Sequence, residues 1–146
     1  METSHNHHPR SEQGFTLIEI IAVLVIVAIL MGIALPSYTD FVMKSKRSDA
    51  MSALMDTANR QEQYMLDHNS YTTDMKALGF TTDPMLSPDG NYTIAAVAGP
   101  TGIKTSYSLS ATAVVSSQQV NDSKCGTFIL TSTGARTASG TGSNCW

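Results

Sequence analysis

Glu19 is the only charged side chain in an apolar run that extends from Phe15 to Leu35. A helix that spans a bilayer needs about 20 apolar residues, and an ionised side chain at membrane depth costs about 2.5 kcal/mol or more. A buried charge is tolerated when it is paired and is very costly when it is alone. We therefore expect Glu19 either to be paired with a cation or to lie near a membrane end, where its side chain can reach water.

Cys125 and Cys145 are the only two cysteines, and they lie about twenty residues apart near the C-terminus. In an oxidising compartment such a pair predicts a disulfide. A loop of that length contributes on the order of 3 kcal/mol in the chain-entropy model. Two free thiols and a metal site remain as alternatives, although no second Cys or His pair has the spacing of metal ligands.

The remaining reactive side chains do not form a catalytic pattern. His5, His7 and His8 are grouped near the N-terminus, and His68 stands alone at an expected helix end. The sequence contains no phosphate loop, nucleophile motif or zinc spacing. We expect no enzymatic activity, no cofactor and no metal site.

The apolar run must be positioned by a helix of its own. A secretory signal has an apolar core of about 7–15 residues followed by a small-residue cleavage site, whereas here the core is longer and Pro36 follows it. The small residue, Gly14, precedes the core instead. Cleavage after Gly14 would leave the whole helix on the mature chain.

The segment Gly14-Phe15-Thr16-Leu17-Ile18-Glu19, followed by an unbroken apolar helix with Pro36, resembles the type IV pilin family. The resemblance implies that residues 1–14 are a leader, that prepilin peptidase cuts between Gly14 and Phe15, and that Phe15 is N-methylated. Phe15 and Glu19 would then govern assembly, with Glu19 as the fifth mature residue. Its carboxylate is favoured by the macrodipole at a helix N-terminus and would set the register between subunits.

The same resemblance implies partners and a location. The partners are other pilin subunits, the prepilin peptidase, the inner-membrane assembly platform and, before assembly, the lipid of the cytoplasmic membrane. The chain would cross the inner membrane once with a cytoplasmic N-terminus and would later join an extracellular pilus. Basic residues do not support this orientation, because Lys44, Lys46 and Arg47 follow the apolar run.

Residues 15–36 are expected to form the membrane-spanning and filament-core helix, and residues 37–146 the rest of the molecule. Gly32 and Pro36 predict a kink, because proline removes a helical hydrogen bond and clashes with the carbonyl four residues earlier. An amphipathic half follows as far as about His68, with an apolar stripe that is expected to pack on a sheet: Tyr38, Phe41, Val42, Ala50, Leu54, Ala58, Gln61 and Met65.

Alternating patterns after Asn69 predict strands at residues 92–97, 106–114 and 126–132, with a weaker fourth at 135–138. Short connections favour antiparallel pairing. The predicted fold class is α+β, in which a long N-terminal helix, kinked near Gly32 and Pro36, packs on a small antiparallel sheet of three to four strands. A C-terminal disulfide loop completes it. The roughly 110 residues after the apolar run suffice for one domain.

The C-terminal half is similar to a pilin subgroup that includes minor pilins and pilins of DNA uptake. This similarity rests on the strand Tyr107-Ser108-Leu109-Ser110-Ala111, on Cys125 to Leu130, on Gly134-Ala135-Arg136 and on the closing Cys145-Trp146. DNA binding needs cations that contact phosphates. Lys104, Lys124 and Arg136 are the candidates, opposed after residue 90 by Asp122 alone.

Function is therefore predicted to be structural: a pilin subunit that polymerises through its N-terminal helix and supports adhesion, twitching motility or DNA uptake. Three alternatives remain open. They are a DNA-binding minor pilin of natural transformation, a pseudopilin of a type II secretion system, and a membrane anchor that carries a sensor domain. The net charge of −3 gives no general attraction to nucleic acid or anionic membrane.

Overall fold

The computed structural model describes residues 14–146, and for residues 35–37 it describes the backbone alone. One helix, α1 (Leu17–His68), precedes five strands: β1 (Met85–Leu86), β2 (Tyr92–Ala98), β3 (Tyr107–Ala113), β4 (Phe128–Thr131) and β5 (Arg136–Ala138). A short 3₁₀ helix, Gln118–Asn121, lies between β3 and β4. The predicted leader, apart from Gly14, lies outside the described residues.

The chain divides into two units, one that ends at Tyr38 and one that comprises Thr39–Trp146. In the first unit the side chains from Leu17 to Ala34 are exposed. This part of α1 is long and apolar enough to cross a membrane. The helical backbone continues through Gly32 and Pro36, and the kink there stays a prediction.

The second unit is built on an antiparallel sheet whose strands follow their order in the sequence. Tyr92 pairs with Ala113 at one end of the β2–β3 hairpin, and Ala98 pairs with Tyr107 at the other. Ala111 of β3 pairs with Phe128 of β4, which in turn pairs with Ala138 of β5. The β2–β3 loop and the β4–β5 turn therefore lie at the same end of the sheet.

The α+β fold and the antiparallel sheet are confirmed, but the sheet has five strands where three to four were predicted. The additional strand is β1, in which Met85 pairs with Ile94 and Leu86 with Thr93. A strand of two residues is too short to show the alternation by which strands are recognised in a sequence. The predicted 135–138 strand corresponds to β5.

The core of the second unit lies between α1 and one face of the sheet. Alternate strand residues are buried, as expected for a sheet with one solvated face. The fully buried side chains of the sheet include Tyr92, Ile94, Leu109 and Phe128, and α1 contributes Ala50, Ala53, Leu54, Thr57 and Gln61.

The predicted apolar stripe of α1 is correct in its middle and wrong at its start. Ala50, Leu54 and Gln61 are buried, whereas Tyr38 and Phe41 are 67% and 71% exposed. Buried Gln61 bonds through its amide to the backbone N and O of Thr72, which satisfies both ends of the side chain. The aromatic residues at the start of the stripe do not belong to the core of either unit.

Candidate functional site

The N-terminus of α1 is organised by Thr16 and Glu19. The backbone N–H of Glu19 donates to the Oγ1 of Thr16 at 3.3 Å and to its carbonyl oxygen at 3.1 Å. A threonine followed three residues later by a glutamate is the spacing of a capping box, which marks a helix start. Sequence reasoning missed Thr16, although this spacing was present to be found.

The exposed side chains of this segment are available to other molecules. Phe15 is 81% exposed, and Glu19 lies in the first turn of the helix, where a carboxylate is favoured by the macrodipole. Within residues 14–146 no cation is paired with Glu19. The carboxylate is therefore free to accept a cation from a second chain.

The predicted cleavage point lies just before the helix. Gly14, Phe15 and Thr16 are exposed and not helical. A side chain at Gly14 would meet nothing within 4 Å. The peptide bond between Gly14 and Phe15 is thus accessible in the described structure.

Within the second unit, a buried ion pair joins helix α1 to the residue that follows the 3₁₀ helix. Arg47 donates through Nε and Nη2 to the two carboxylate oxygens of Asp122, at 2.7 and 2.9 Å. This bond raises the pKa of the Arg47 guanidinium. Asp122 Oδ1 also accepts from the backbone N–H of Cys125, whose disulfide with Cys145 is present as predicted.

This pairing changes the charge balance expected from the sequence. Asp122 was counted against the three candidate DNA-binding cations, yet its side chain is only 2% exposed and is bound to Arg47. It does not oppose cations on the surface. The sequence carried no local signal for the pair, because its members are 75 residues apart.

The three candidate cations are not brought together. Lys104 is exposed in the β2–β3 loop, and Arg136 opens β5 at the same end of the sheet. Lys124 lies at the opposite end, just before Cys125, where its Nζ donates to Asp40 Oδ2 at 2.9 Å. The guanidinium of Arg136 lies 5.6 Å from the centre of the Trp146 ring.

Two tyrosines and Glu62 form a second charged cluster, near the end of the sheet that carries Lys104. The hydroxyls of Tyr71 and Tyr107 donate to the Glu62 carboxylate at 3.2–3.3 Å. Burial, followed by the charge of Glu62, raises the pKa of Tyr107 well above its ordinary value and also raises that of Tyr71. Among residues 14–146 no group of three His, Cys, Asp or Glu could hold a metal ion.

Two family models match this chain. Residues 9–35 match the prokaryotic N-terminal methylation motif. Residues 36–129 match the model described as type IV minor pilin ComP, DNA uptake sequence receptor, which covers well over half of the chain. The chain belongs to the type IV minor pilin family. The predicted resemblance to type IV pilins of the minor and DNA-uptake kind is thereby confirmed.

Individual relatives are also pilins or pilin-like proteins. Fimbrial protein EcpC of Eikenella corrodens is 32% identical over 97 residues, which are 64% of this chain and 61% of EcpC. Type IV major fimbrial protein FimA of Dichelobacter nodosus is 33% identical over 106 residues, 70% of this chain and 67% of FimA. The chain spans between about half and two thirds of the length of such curated relatives.

A further relative belongs to a secretion system. Type II secretion system core protein G of Klebsiella michiganensis is 31% identical over 84 residues, 57% of this chain and 59% of that protein. The family is thus one of structural pilins and pseudopilins.

Proposed function

We propose that this protein is a minor pilin that is anchored in the membrane by its N-terminal helix and then polymerised into a type IV pilus that takes up DNA. The observation that carries the proposal is the exposed apolar segment of α1 with a single carboxylate, Glu19, in its first turn. Such a segment needs lipid or other copies of itself around it.

In this proposal the chain is processed before it assembles. Prepilin peptidase cleaves between Gly14 and Phe15 and the new amine of Phe15 is methylated, while the N-terminus faces the cytoplasm. The assembly platform then moves the subunit from lipid into the fibre. There Glu19 pairs with the Phe15 amine of a neighbouring subunit, so that only subunits docked at the correct height avoid a buried, unpaired charge.

Mass spectrometry of fibres sheared from cells tests this proposal. We expect a mature chain that begins at methylated Phe15 and is lighter by two hydrogens for the disulfide, in lower abundance than the major subunit. A chain found only in membranes with residues 1–14 attached would overturn the proposal and favour an anchored sensor domain.

The DNA-uptake role is favoured over a role in secretion by the extent of the match to the DNA-uptake-receptor model. The frequency of natural transformation and the amount of secreted protein can be measured in a strain that lacks this chain and compared with the parent strain. We expect transformation to fall and secretion to remain. The reverse result would favour a pseudopilin.

For DNA contact we propose Lys104 and Arg136, which share one end of the sheet, with Lys124 as a separate third candidate. Each lost phosphate contact should reduce the magnitude of the slope of log K against log salt concentration by roughly 0.9. The Lys104→Ala/Lys124→Ala/Arg136→Ala variant should therefore show a much flatter salt dependence of duplex binding. Lys46→Ala is the control, since Lys46 bonds to Gln118 away from the Lys104 end. Unchanged binding by the triple variant would rule these residues out.

A further inference from the structure

A cleft with an excess of cations opens beside the first turns of α1 in the second unit. It has a volume of about 270 Å³ and is lined by Asp40, Lys44, Arg47, Lys124, Ser143 and Asn144. We name these six residues the basic cleft. It contains three cations and one carboxylate. The DNA contact proposed for Lys104 and Arg136 is a separate site.

The cations of the basic cleft are only partly neutralised. Lys44 is exposed and has no ion-pair or hydrogen-bond partner among residues 14–146. Lys124 forms an ion pair with Asp40 in which both side chains are 63% exposed. Such exposed pairs are weak. The guanidinium of Arg47 is neutralised by Asp122, which accepts from its Nε and Nη2.

Neutral groups complete the wall opposite the helix. Ser143 contributes a hydroxyl and Asn144 an amide, and Asn144 has a φ of 64°, in the left-handed region that few residues other than glycine adopt. The disulfide of the adjacent Cys145 holds this segment against the loop that carries Lys124. Cationic and neutral donors that converge on a small cleft are the groups that bind phosphate oxygens.

We propose that the basic cleft binds the phosphate of an anionic lipid headgroup while the subunit is still held in the membrane. The proposal rests on the membrane-anchored state proposed above, but not on assembly or on DNA binding.

The aromatic residues near the cleft favour lipid as the source of the phosphate. Phe41 is 71% exposed and precedes Lys44 by three residues of α1, so the two side chains share one face of the helix. Helical side chains tilt toward the N-terminus, which directs Lys44 toward Phe41. Exposed aromatic residues beside cations are typical of the interface between membrane and water.

The position of the cations along the chain points the same way. Lys44, Lys46 and Arg47 follow the apolar run, where the positive-inside rule disfavours them if the N-terminus is cytoplasmic. Binding of headgroup phosphates by the basic cleft gives Lys44 a role on that side of the membrane. DNA is favoured less, because the other candidate cations, Lys104 and Arg136, lie at the opposite end of the sheet.

Native mass spectrometry of the full chain in detergent, titrated with phosphatidylglycerol or phosphatidylcholine, tests the proposal. We expect phosphatidylglycerol to bind more tightly by on the order of tenfold. The Lys44→Gln/Lys124→Gln variant should lose this preference. The Lys76→Gln/Lys104→Gln variant removes the same charge from exposed residues elsewhere and should keep it.

Equal binding of the two lipids, or equal loss in both variants, would overturn the proposal. Displacement of phosphatidylglycerol by millimolar inorganic phosphate would assign the cleft to free phosphate instead. Loss of duplex DNA binding in Lys44→Gln, which leaves the candidate DNA contact Lys124 in place, with the lipid preference intact, would assign the cleft to DNA. Circular dichroism checks that each variant folds. If the double substitution unfolds the chain, Lys44→Gln alone is used instead. A full preference for phosphatidylglycerol in Lys44→Gln would also count against the proposal.

Discussion

Asp49 is a buried carboxylate that joins helix α1 to the turn before strand β2. One carboxylate oxygen accepts from Ser87 Oγ at 2.7 Å and from Asn91 Nδ2 at 3.1 Å, and the backbone N–H groups of Asp89 and Asn91 also donate to Asp49. Four donors are thus satisfied by one side chain. Ser87 Oγ in turn accepts from the N–H of Tyr92, the first residue of β2.

We predict that Asp49→Ala destabilises the second unit by about 3 kcal/mol or more, because each buried donor left without a partner costs about 1–3 kcal/mol. Asp49→Asn keeps one acceptor and should cost less. Urea unfolding of the detergent-solubilised chain, followed by Trp146 fluorescence, measures the loss. The control is Asp56→Ala, which removes only an exposed pair with Arg60 worth below about 1 kcal/mol. Equal losses at Asp49 and Asp56 would contradict the role given to Asp49.

The raised pKa of Tyr107 predicts how the free energy of unfolding changes at alkaline pH. Burial and then the charge of Glu62 raise the pKa of Tyr107 in the folded chain above the value of about 10 expected when it is unfolded. The folded state therefore holds the proton more tightly, and this contribution to stability is full below pH 10 and is lost as the pH rises further.

We accordingly expect the free energy of unfolding to fall with increasing pH above about 10, and to fall less steeply in Tyr107→Phe. Urea titrations at fixed pH values between roughly 9 and 11 give the slopes. Tyr38→Phe is the control, because Tyr38 lies in the first unit and is 67% exposed. A slope that Tyr107→Phe leaves unchanged would show that other groups dominate.

The role of a single residue can be predicted from the sequence only where its sequence neighbours reveal that role. Glu19 was recognisable because a charge in an apolar run contradicts its surroundings. Arg47 and Asp49 were not, because in the sequence they look like ordinary surface charges of an amphipathic helix. Their partners, Asp122 and Asn91, come from distant segments that only the folded chain brings near.

Among the elements, those with a long periodic pattern were predictable and those made by tertiary contact were not. The alternation in β3 appears directly as alternating burial of Tyr107, Leu109 and Ala111. Strand β1 owes its existence to pairing with β2. The exposure of Phe41 could not be derived from helical spacing either, because spacing does not tell where the sheet ends.

The disulfide is the element-scale feature with the clearest expected effect. It closes a separation of 20 residues around β4 and β5. Cys125→Ser/Cys145→Ser should lower the free energy of unfolding by about 3 kcal/mol, as measured by urea unfolding. Reductant should destabilise the natural chain by a similar amount and leave the double variant unaffected. No effect of reductant on the natural chain would contradict the prediction.

Gly140 and Gly142 lie close to the backbone of Lys124, next to the disulfide-bonded Cys125. A Cβ at Gly140 would collide with the backbone carbonyl oxygen of Lys124, and Gly142 already donates its N–H to that oxygen at 2.7 Å. A clash with backbone cannot be relieved by a side-chain rotation. We expect Gly140→Ala to lower the urea midpoint, whereas Thr141→Ala between the two glycines removes only exposed atoms and should not. Equal midpoints for the two variants would show that the loop tolerates the added methyl group.

At the scale of the whole molecule, the two units differ in what makes them stable. Thr39–Trp146 buries its own core. The first unit buries none of its described side chains before Ala34, so its stability must come from lipid or from other subunits. An exchange between those two environments is a property that the chain needs if it is to leave the membrane and enter a fibre.

Glu19 biases that exchange, because it is a penalty in lipid and a paired charge in the proposed fibre. We predict that Glu19→Ala still inserts into the membrane but enters fibres at least tenfold less, since leaving the neighbouring amine buried without its partner costs about 3–5 kcal/mol. Quantitative mass spectrometry of sheared fibres and membranes gives both amounts. Glu12→Ala removes the same group from the segment proposed to be cleaved off, and should incorporate normally. Normal incorporation of Glu19→Ala would mean that register is set elsewhere along the helix.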